Sequence, residues 1–332
     1  MRVLISGYYG FGNLGDEALL SGIVSALKAA GHEVTVLSHD PTATERLHGV
    51  RAAHRLRGVL PSLLRCDAFI SGGGGLLQDK TSTRSLQYYL TLLRLAKRLG
   101  RRTFVYGQSV GPLSDKGRRA VRAVLEGIPV AVRDERSRTL LASLGVEARL
   151  VADGALLLNP SAELESREGV LLVPRAGYPD ITAALIHIAE GLGERGVPVA
   201  AAAVQPGEDA EALNELKRVV PGVQVHRAAT PSELLSCIAG ASYVVSGRLH
   251  GLILAAVAGR DFCGLVYDPK VAAFAEEVGA PAFSLPVDKA ALLRCALERP
   301  PVPEQQVEAL KARAQAGAAW LCERLEPLNA TA

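Results

Sequence analysis

Lysine is scarce in this chain: it supplies eight of the 37 basic residues, and arginine the other twenty-nine. Cysteine is sparser. Cys66, Cys237, Cys263, Cys295 and Cys322 are odd in number, far apart and form no C-x-x-C pair. That spacing speaks against a disulfide framework or a zinc site and fits a reducing cytoplasm. No charge of one sign is concentrated. A formal net charge of +3 with scattered basic residues excludes a nucleic-acid groove and leaves a weak preference for anionic lipid surfaces open. Long hydrophobic runs are missing too: the apolar stretch 251–259 is about half of the roughly 20 residues that a membrane span needs. No apolar leader is read at the start, because Asp16 and Glu17 follow a glycine-rich loop. The expectation is a cytoplasmic protein, soluble or peripheral at the inner face of the membrane.

What is present is a globular composition, 48% hydrophobic and 21% charged over 332 residues, enough for two domains of roughly 150 residues each. Short β-rich runs alternate with longer amphipathic ones. The pattern predicts strands at 3–6, 33–37, 68–71, 103–106, 130–132 and 149–151, with helices at 16–30, 83–99, 115–125 and 135–144 between them. The strands are apolar on both sides, as in a parallel sheet covered by helices. After the polar, proline-containing stretch "NPSAELESREG" the pattern restarts, with strands expected at 170–173, 197–204, 223–225, 243–245 and 262–266. A final helix, 304–326, follows the breaker "RPPVP". The predicted class is α/β, with two doubly wound Rossmann-like domains facing a cleft. Their expected limits are an N-terminal domain over 1–158, a linker over 159–169 and a C-terminal domain over 170–302. The last helix, within 303–332, turns Trp320, Leu321 and Leu325 to one side and packs on the first domain or on a partner.

In such sheets ligands gather outside the carboxyl ends of the strands. The unusual loops all follow strands: "GYYGFGNLGD", "SGGGGLLQD", "GQSVGP" and "RDERS" in the first half, "VPRAGYP", "SGRLHG" and "YDPK" in the second. Gly10, Gly12 and Gly15 spell the G-x-G-x-x-G of dinucleotide sites. The loop, however, spends Gly7, Tyr8 and Tyr9 before its first glycine, and Asp16 and Glu17 would repel a pyrophosphate at the helix start. The match to a ribose-binding acid at Asp40 is indifferent. The two acids either cap the helix or face a neutral polyol, where a carboxylate accepts a hydroxyl proton.

Taken in order, "GYYGFGNLGDEALL", "SGGGGLLQDKTSTRSLQYYL", "YGQSVGP", "VRDERS", "SGRLHGLILAA" and "LVYDPKVAAF" resemble the polysaccharide pyruvyl transferases over nearly the whole chain. The resemblance is greatest to the bacterial branch that acts on cell-wall polymers anchoring the surface layer. Asp153–Gly154 departs from the Asp-Pro expected at the domain crossover. The resemblance implies a fold like the B-type glycosyltransferases, phosphoenolpyruvate as donor and transfer of a pyruvate ketal to two sugar hydroxyls. It further implies an acceptor carried on a lipid diphosphate, acceptor binding in the first domain, donor binding mainly in the second, and no cofactor or metal.

A donor with several negative charges calls for fixed cations and donor-rich backbone. Arg248 and His250 lie beside a helix start, an anion site by geometry. His250, with an imidazole suited to proton transfer near neutrality, is the candidate acid, and Asp16 or Glu17 the candidate base. Lys270, Arg175 and Arg133 are further donor candidates; the alternative for Arg133 is a structural pair with Asp134. Acceptor candidates are Tyr8, Tyr9, Phe11 and Asn13, with Gly73, Gly74, Gln78, Asp79 and Gln108. For these the alternatives are core packing of at least one aromatic, backbone necessity for the glycines, and helix capping for Gln78 and Asp79. A nucleotide-sugar glycosyltransferase is the nearest rival function. A non-catalytic sugar-binding protein comes next, since it would not need Arg248, His250 and Lys270 together.

Overall fold

The computed structural model describes residues 1–80, 82–159 and 168–326, so the expected linker lies, from 160 to 167, outside the described residues. The chain divides into two compact units. Unit 1 holds Met1–Phe11, Leu19–Leu157 and the described residues from Lys311 onward; unit 2 holds Gly12–Ala18 and those from Leu158 to Leu310.

Unit 1 is built on β1 (Arg2–Ser6), β2 (Glu33–Ser38), β3 (Arg51–His54), β4 (Ala68–Ser71), β5 (Gly74–Leu77), β6 (Arg102–Val110), β7 (Val130–Val132) and β8 (Arg149–Leu150). They lie in the order β3-β2-β1-β4-β6-β7-β8, with β5 beside β6 off that path, and every pair is parallel. Unit 2 carries β9 (Val170–Val173), β10 (Val199–Ala202), β11 (Gln224–His226), β12 (Tyr243–Ser246), β13 (Asp261–Val266) and β14 (Ala282–Ser284). Their order is β11-β10-β9-β12-β13-β14, again all parallel.

Parallel neighbours cannot be joined by hairpins, so each connection crosses over, here mostly through a helix. Helices α1 (Leu14–Ala29), α2 (Pro41–His48), α3 (Val59–Arg65), α4 (Thr83–Arg98), α5 (Asp115–Leu125) and α6 (Glu135–Ser143) serve the first sheet. Helices α7 (Pro179–Gly193), α8 (Pro206–Val219), α9 (Pro231–Ala239), α10 (Leu249–Val257), α11 (Pro269–Val278) and α12 (Lys289–Glu298) serve the second, and α13 (Glu304–Leu325) follows. Central strands such as β4 and β12 are buried at every position, the reason for their unbroken apolar sequence.

Strand order fixes where a ligand can sit. In unit 1 the chain runs outward from β1 to β3 and returns at β4; in unit 2 it runs from β9 to β11 and returns at β12. Loops diverge at these switch points and leave a crevice at the carboxyl ends. Ser6 stands beside Ser71 at the first switch point, and Val173 beside Ser246 at the second.

Three strands and, in unit 1, two helices go beyond the sequence pattern. β3 ("RAAH") is a half-exposed edge strand without β-branched residues, and β14 is a three-residue edge strand. β5 lies inside the glycine run expected to be loop, pairing Gly74 with Gln108 and Leu77 with Val110. Helices α2 and α3 are short, at 8 and 7 residues, too brief for a periodic signal. The Asp153–Gly154 departure has a packing reason. A Cβ on Gly154 would lie 2.9 Å from the Leu19 carbonyl oxygen, and one on Gly22 2.0 Å from the Gly154 carbonyl oxygen, so α1 is pressed against this turn.

Within unit 1 the end of α13 buries Trp320, Leu321 and Leu325. The Arg102 guanidinium donates to the carbonyl oxygens of Arg324, Leu325 and Glu326, which otherwise have no partner within the helix. Among the described residues no helix is long and apolar enough to cross a membrane.

Candidate active site

In unit 2 the turn after β12 is set by Ser246. Its hydroxyl accepts from the Arg248 N–H at 3.0 Å and donates to the Arg248 carbonyl oxygen at 2.8 Å. Arg248 is the residue before α10 and is 7% exposed. Its guanidinium forks onto the fully buried Asp209, Nε to Oδ2 at 3.0 Å and Nη2 to Oδ1 at 2.5 Å. Nη1 reaches Gln205 Oε1 at 3.1 Å, and Nη2 reaches Glu208 Oε2 at 3.2 Å. Arg175, in the loop after β9, donates from Nη1 to the same Glu208 oxygen at 2.7 Å. The two arginines thus leave adjacent strands at the switch point and share one carboxylate. Arg175 also stands over the rings of Tyr178 and Tyr267, 5.9 and 5.6 Å from their centroids. Partial burial pushes the Glu208 carboxyl up, but the hydrogen bonds and charges of Arg175 and Arg248 outweigh it and hold the group below the usual carboxylate value.

His250 is the second residue of α10. Its ring lies against the backbone of Gly15, where a Cβ would be 2.3 Å from Nδ1. The third glycine of the dinucleotide-like pattern therefore makes room for an imidazole. The segment Gly12–Ala18 is held in unit 2 by a 2.8 Å bond from the Leu14 N–H to the Val204 carbonyl oxygen. Asn13 Oδ1 accepts from the N–H groups of Gly15 and Asp16 and so caps α1. Asp16 and Glu17 therefore lie within the first turn rather than at the cap. Asp16 is half-buried and Glu17 is 4% exposed. Lys270 is exposed at the start of α11, where Asp268 caps the helix by accepting from its backbone N–H.

The remaining candidates belong to unit 1. Tyr8 stacks on Phe11, and Phe11 on His39, with centroids 4.2 and 4.5 Å apart and the rings within 9° of parallel. The Arg55 guanidinium lies 5.5 Å from the Phe11 ring and 4.5 Å from the Tyr88 ring, and the Tyr88 hydroxyl donates to the Arg55 carbonyl oxygen. These residues follow β1, β2 and β3 at their carboxyl ends, apart from Tyr88 of α4. Sequence reasoning had no signal for His39 or Arg55 beyond their place after a strand.

Several expected ligand contacts are taken up internally. Tyr9 is 1% exposed and belongs to the core. Gly73 and Gly74 are buried rather than presenting exposed amides, because the chain there joins the sheet as β5 and a Cβ on Gly73 would collide with Leu19. Asp79 accepts from both the backbone N–H and the hydroxyl of Ser114, the cap of α5, while Gln78 beside it is half-buried. Gln108, wholly buried, donates to Ser71 Oγ at 2.7 Å. Arg133 pairs with Asp153, not with Asp134. Its Nη1 is 2.5 Å from Asp153 Oδ2, and its Nε donates to Ser109, whose hydroxyl donates to Asp134. Both members of that pair are buried, so the fork expected to grip a ligand carboxylate grips Asp153. Among the described residues no three or more His, Cys, Asp or Glu side chains are grouped to hold a metal ion.

Two parallel sheets, each with a switch point, give the architecture of the B-type glycosyltransferases and UDP-GlcNAc 2-epimerases. HepE from Anabaena, solved with UDP and glucose, is 13% identical with a TM-score of 0.58, over 96% of this chain and 95% of its own. UDP-GlcNAc 2-epimerase from Neisseria meningitidis, bound to UDP-GlcNAc, is 12% identical with a TM-score of 0.63, over 98% and 99%. MurG from Acinetobacter baumannii is 14% identical with a TM-score of 0.56, over 97% and 99%. At such identities the likeness concerns the fold. No curated protein sequence matches. The polysaccharide pyruvyl transferase family model matches residues 13–269, and the chain belongs to that enzyme family.

Proposed function

We propose that the protein transfers pyruvate from phosphoenolpyruvate to two hydroxyls of a lipid-linked cell-wall saccharide, forming a cyclic ketal and releasing phosphate. The observation that carries this reading is the packing of His250 against Gly15 in the unit that also holds Arg175 and Arg248. A proton donor beside two guanidinium groups, which share the displaceable Glu208 carboxylate, suits an anionic enol ether that takes the place of Glu208.

His250 protonates C3 of the donor, and positive charge develops at C2 and its ester oxygen. One sugar hydroxyl adds to C2 as its proton passes to Asp16 or Glu17. The C2–O bond to phosphate then breaks, the second hydroxyl adds, and its proton leaves with the phosphate. Arg175, Arg248 and Lys270 balance the charge of the carboxylate and the departing phosphate, where preorganised dipoles and charges are most effective. The Glu208 carboxylate stands between Arg175 and Arg248 where a donor anion would bind, and it must swing aside as the donor enters. Tyr8, Phe11 and His39 offer stacked faces to the acceptor sugar. The site needs no metal, the surface-layer branch supplies the polymer class, and the reaction takes place on the cytoplasmic side.

A thermal-shift titration of the full chain with phosphoenolpyruvate, NADH and two nucleotide sugars tests the reading. Stabilisation by phosphoenolpyruvate alone is expected, with turnover reduced at least about 10²-fold in His250→Ala while the fold persists. Stabilisation by a nucleotide sugar alone would make the protein a glycosyltransferase.

A further inference from the structure

The outer face of α3 is apolar. Among the described residues five large hydrophobic side chains are exposed, and three belong to one short stretch: Leu56 at 59%, Leu60 at 51% and Leu64 at 54%. Their spacing of four places Leu60 and Leu64 on one side of α3, with Leu56 in the turn before it. Leu63, between them in sequence, is wholly buried in the core of unit 1. A surface helix ordinarily turns polar residues to water. Single exposed leucines are commonplace, whereas a run along one helix marks an interaction surface.

The charged side chains within this stretch are basic, and Asp67 just beyond it is paired with Arg2. From Arg46 to Cys66 the chain has five arginines (46, 51, 55, 57 and 65) and no aspartate or glutamate. Arg51 is engaged with Glu33 at 2.9 Å, while Arg57 and Arg65 are exposed beside the leucines. Leucines flanked by Arg57 and Arg65 match the two layers of an anionic bilayer surface, with side chains entering the acyl boundary and guanidinium groups at the phosphates. A protein partner with a matching groove would satisfy the leucines but would not call for a border of one charge.

We infer that the Leu56–Leu60–Leu64 face, with Arg57 and Arg65, docks unit 1 on a bilayer of anionic phospholipid. Leu56 directly follows Arg55, the residue over the Phe11 and Tyr88 rings, so the docking face adjoins the aromatic acceptor platform. A saccharide carried on a lipid would then be met where its anchor enters the membrane. This purpose rests on the acceptor reading above; the docking itself does not.

The test is flotation of the full chain with phosphatidylglycerol vesicles and, separately, phosphatidylcholine vesicles, without substrate. Binding to the anionic vesicles alone is expected. It should be lost in Leu60→Glu/Leu64→Glu and weakened roughly twentyfold or more in Arg57→Glu/Arg65→Glu. All four side chains are exposed, so melting temperatures should stay at the parent value. No binding to anionic vesicles, or binding indifferent to these substitutions, overturns the inference. So does self-association on a sizing column that the leucine substitutions abolish while vesicles are ignored, since the face would then join two copies. Loss of phosphoenolpyruvate turnover with intact vesicle binding would instead reject the transferase reading and leave docking in place.

Discussion

The imidazole of His250 and the backbone of Gly15 are in such close contact that a methyl group at position 15 would lie 2.3 Å from Nδ1. Gly15→Ala is therefore expected to push the ring out of place without touching its chemistry. Turnover should fall about 10²-fold, the cost of a misplacement near 1 Å, with little change in phosphoenolpyruvate affinity. Steady-state kinetics check this; unchanged turnover would remove His250 from the reaction.

Glu208 bridges Arg175 and Arg248 and competes with any incoming anion. Glu208→Gln should tighten phosphoenolpyruvate binding several-fold, measured by calorimetry. The folded-state pKa of Glu208 is lowered, so the carboxylate keeps its charge as pH falls through the usual carboxylate range and loses it only below. Its competition should therefore be constant from pH 8 to about 5. Weaker binding in the variant would make Glu208 a contributor rather than a competitor.

The Arg133–Asp153 pair is buried on both sides. Removing one partner strands the other charge, so Asp153→Ala should lower unfolding free energy by about 3–5 kcal/mol in urea titration. A loss below about 1 kcal/mol, the range of exposed pairs, would show that the pair is open to solvent and free to serve a ligand.

Asp67 accepts from the Arg2 side chain and backbone, which hold its carboxyl at about 2. Because the folded value is depressed from 3.8, its contribution to stability is complete above pH 3.8 and disappears as pH falls towards 2. An NMR titration of the carboxyl carbon should show that midpoint, moving back towards 3.8 in Arg2→Ala. An unmoved midpoint would assign the depression to another cause.

Sequence alone carried the alternation of strands and helices, because strands buried on both faces need unbroken apolar runs such as "YVVS". It also placed the unusual loops after strands, and with them Arg175, Arg248 and His250. What it missed depends on partners remote in sequence. Asp209 stands in no motif of the sequence, yet it is the fork partner of an arginine 39 residues away. Gly74 read as loop because glycine signals turns, yet it pairs in register with Gln108. Arg133 read as a ligand clamp because Asp153 lies 20 residues beyond it.

The shared carboxylate between Arg175 and Arg248 bears on how a turnover ends. A cation pair that grips a donor well also holds inorganic phosphate after the ketal has closed, and slow release would then govern the rate. Glu208 is tethered in the first turn of α8 and half-exposed, so it is always at hand at high local concentration. If the donor binds as proposed, its return to the two guanidinium groups would expel the product, and apparent donor affinity would be the difference between two anions rather than the strength of one.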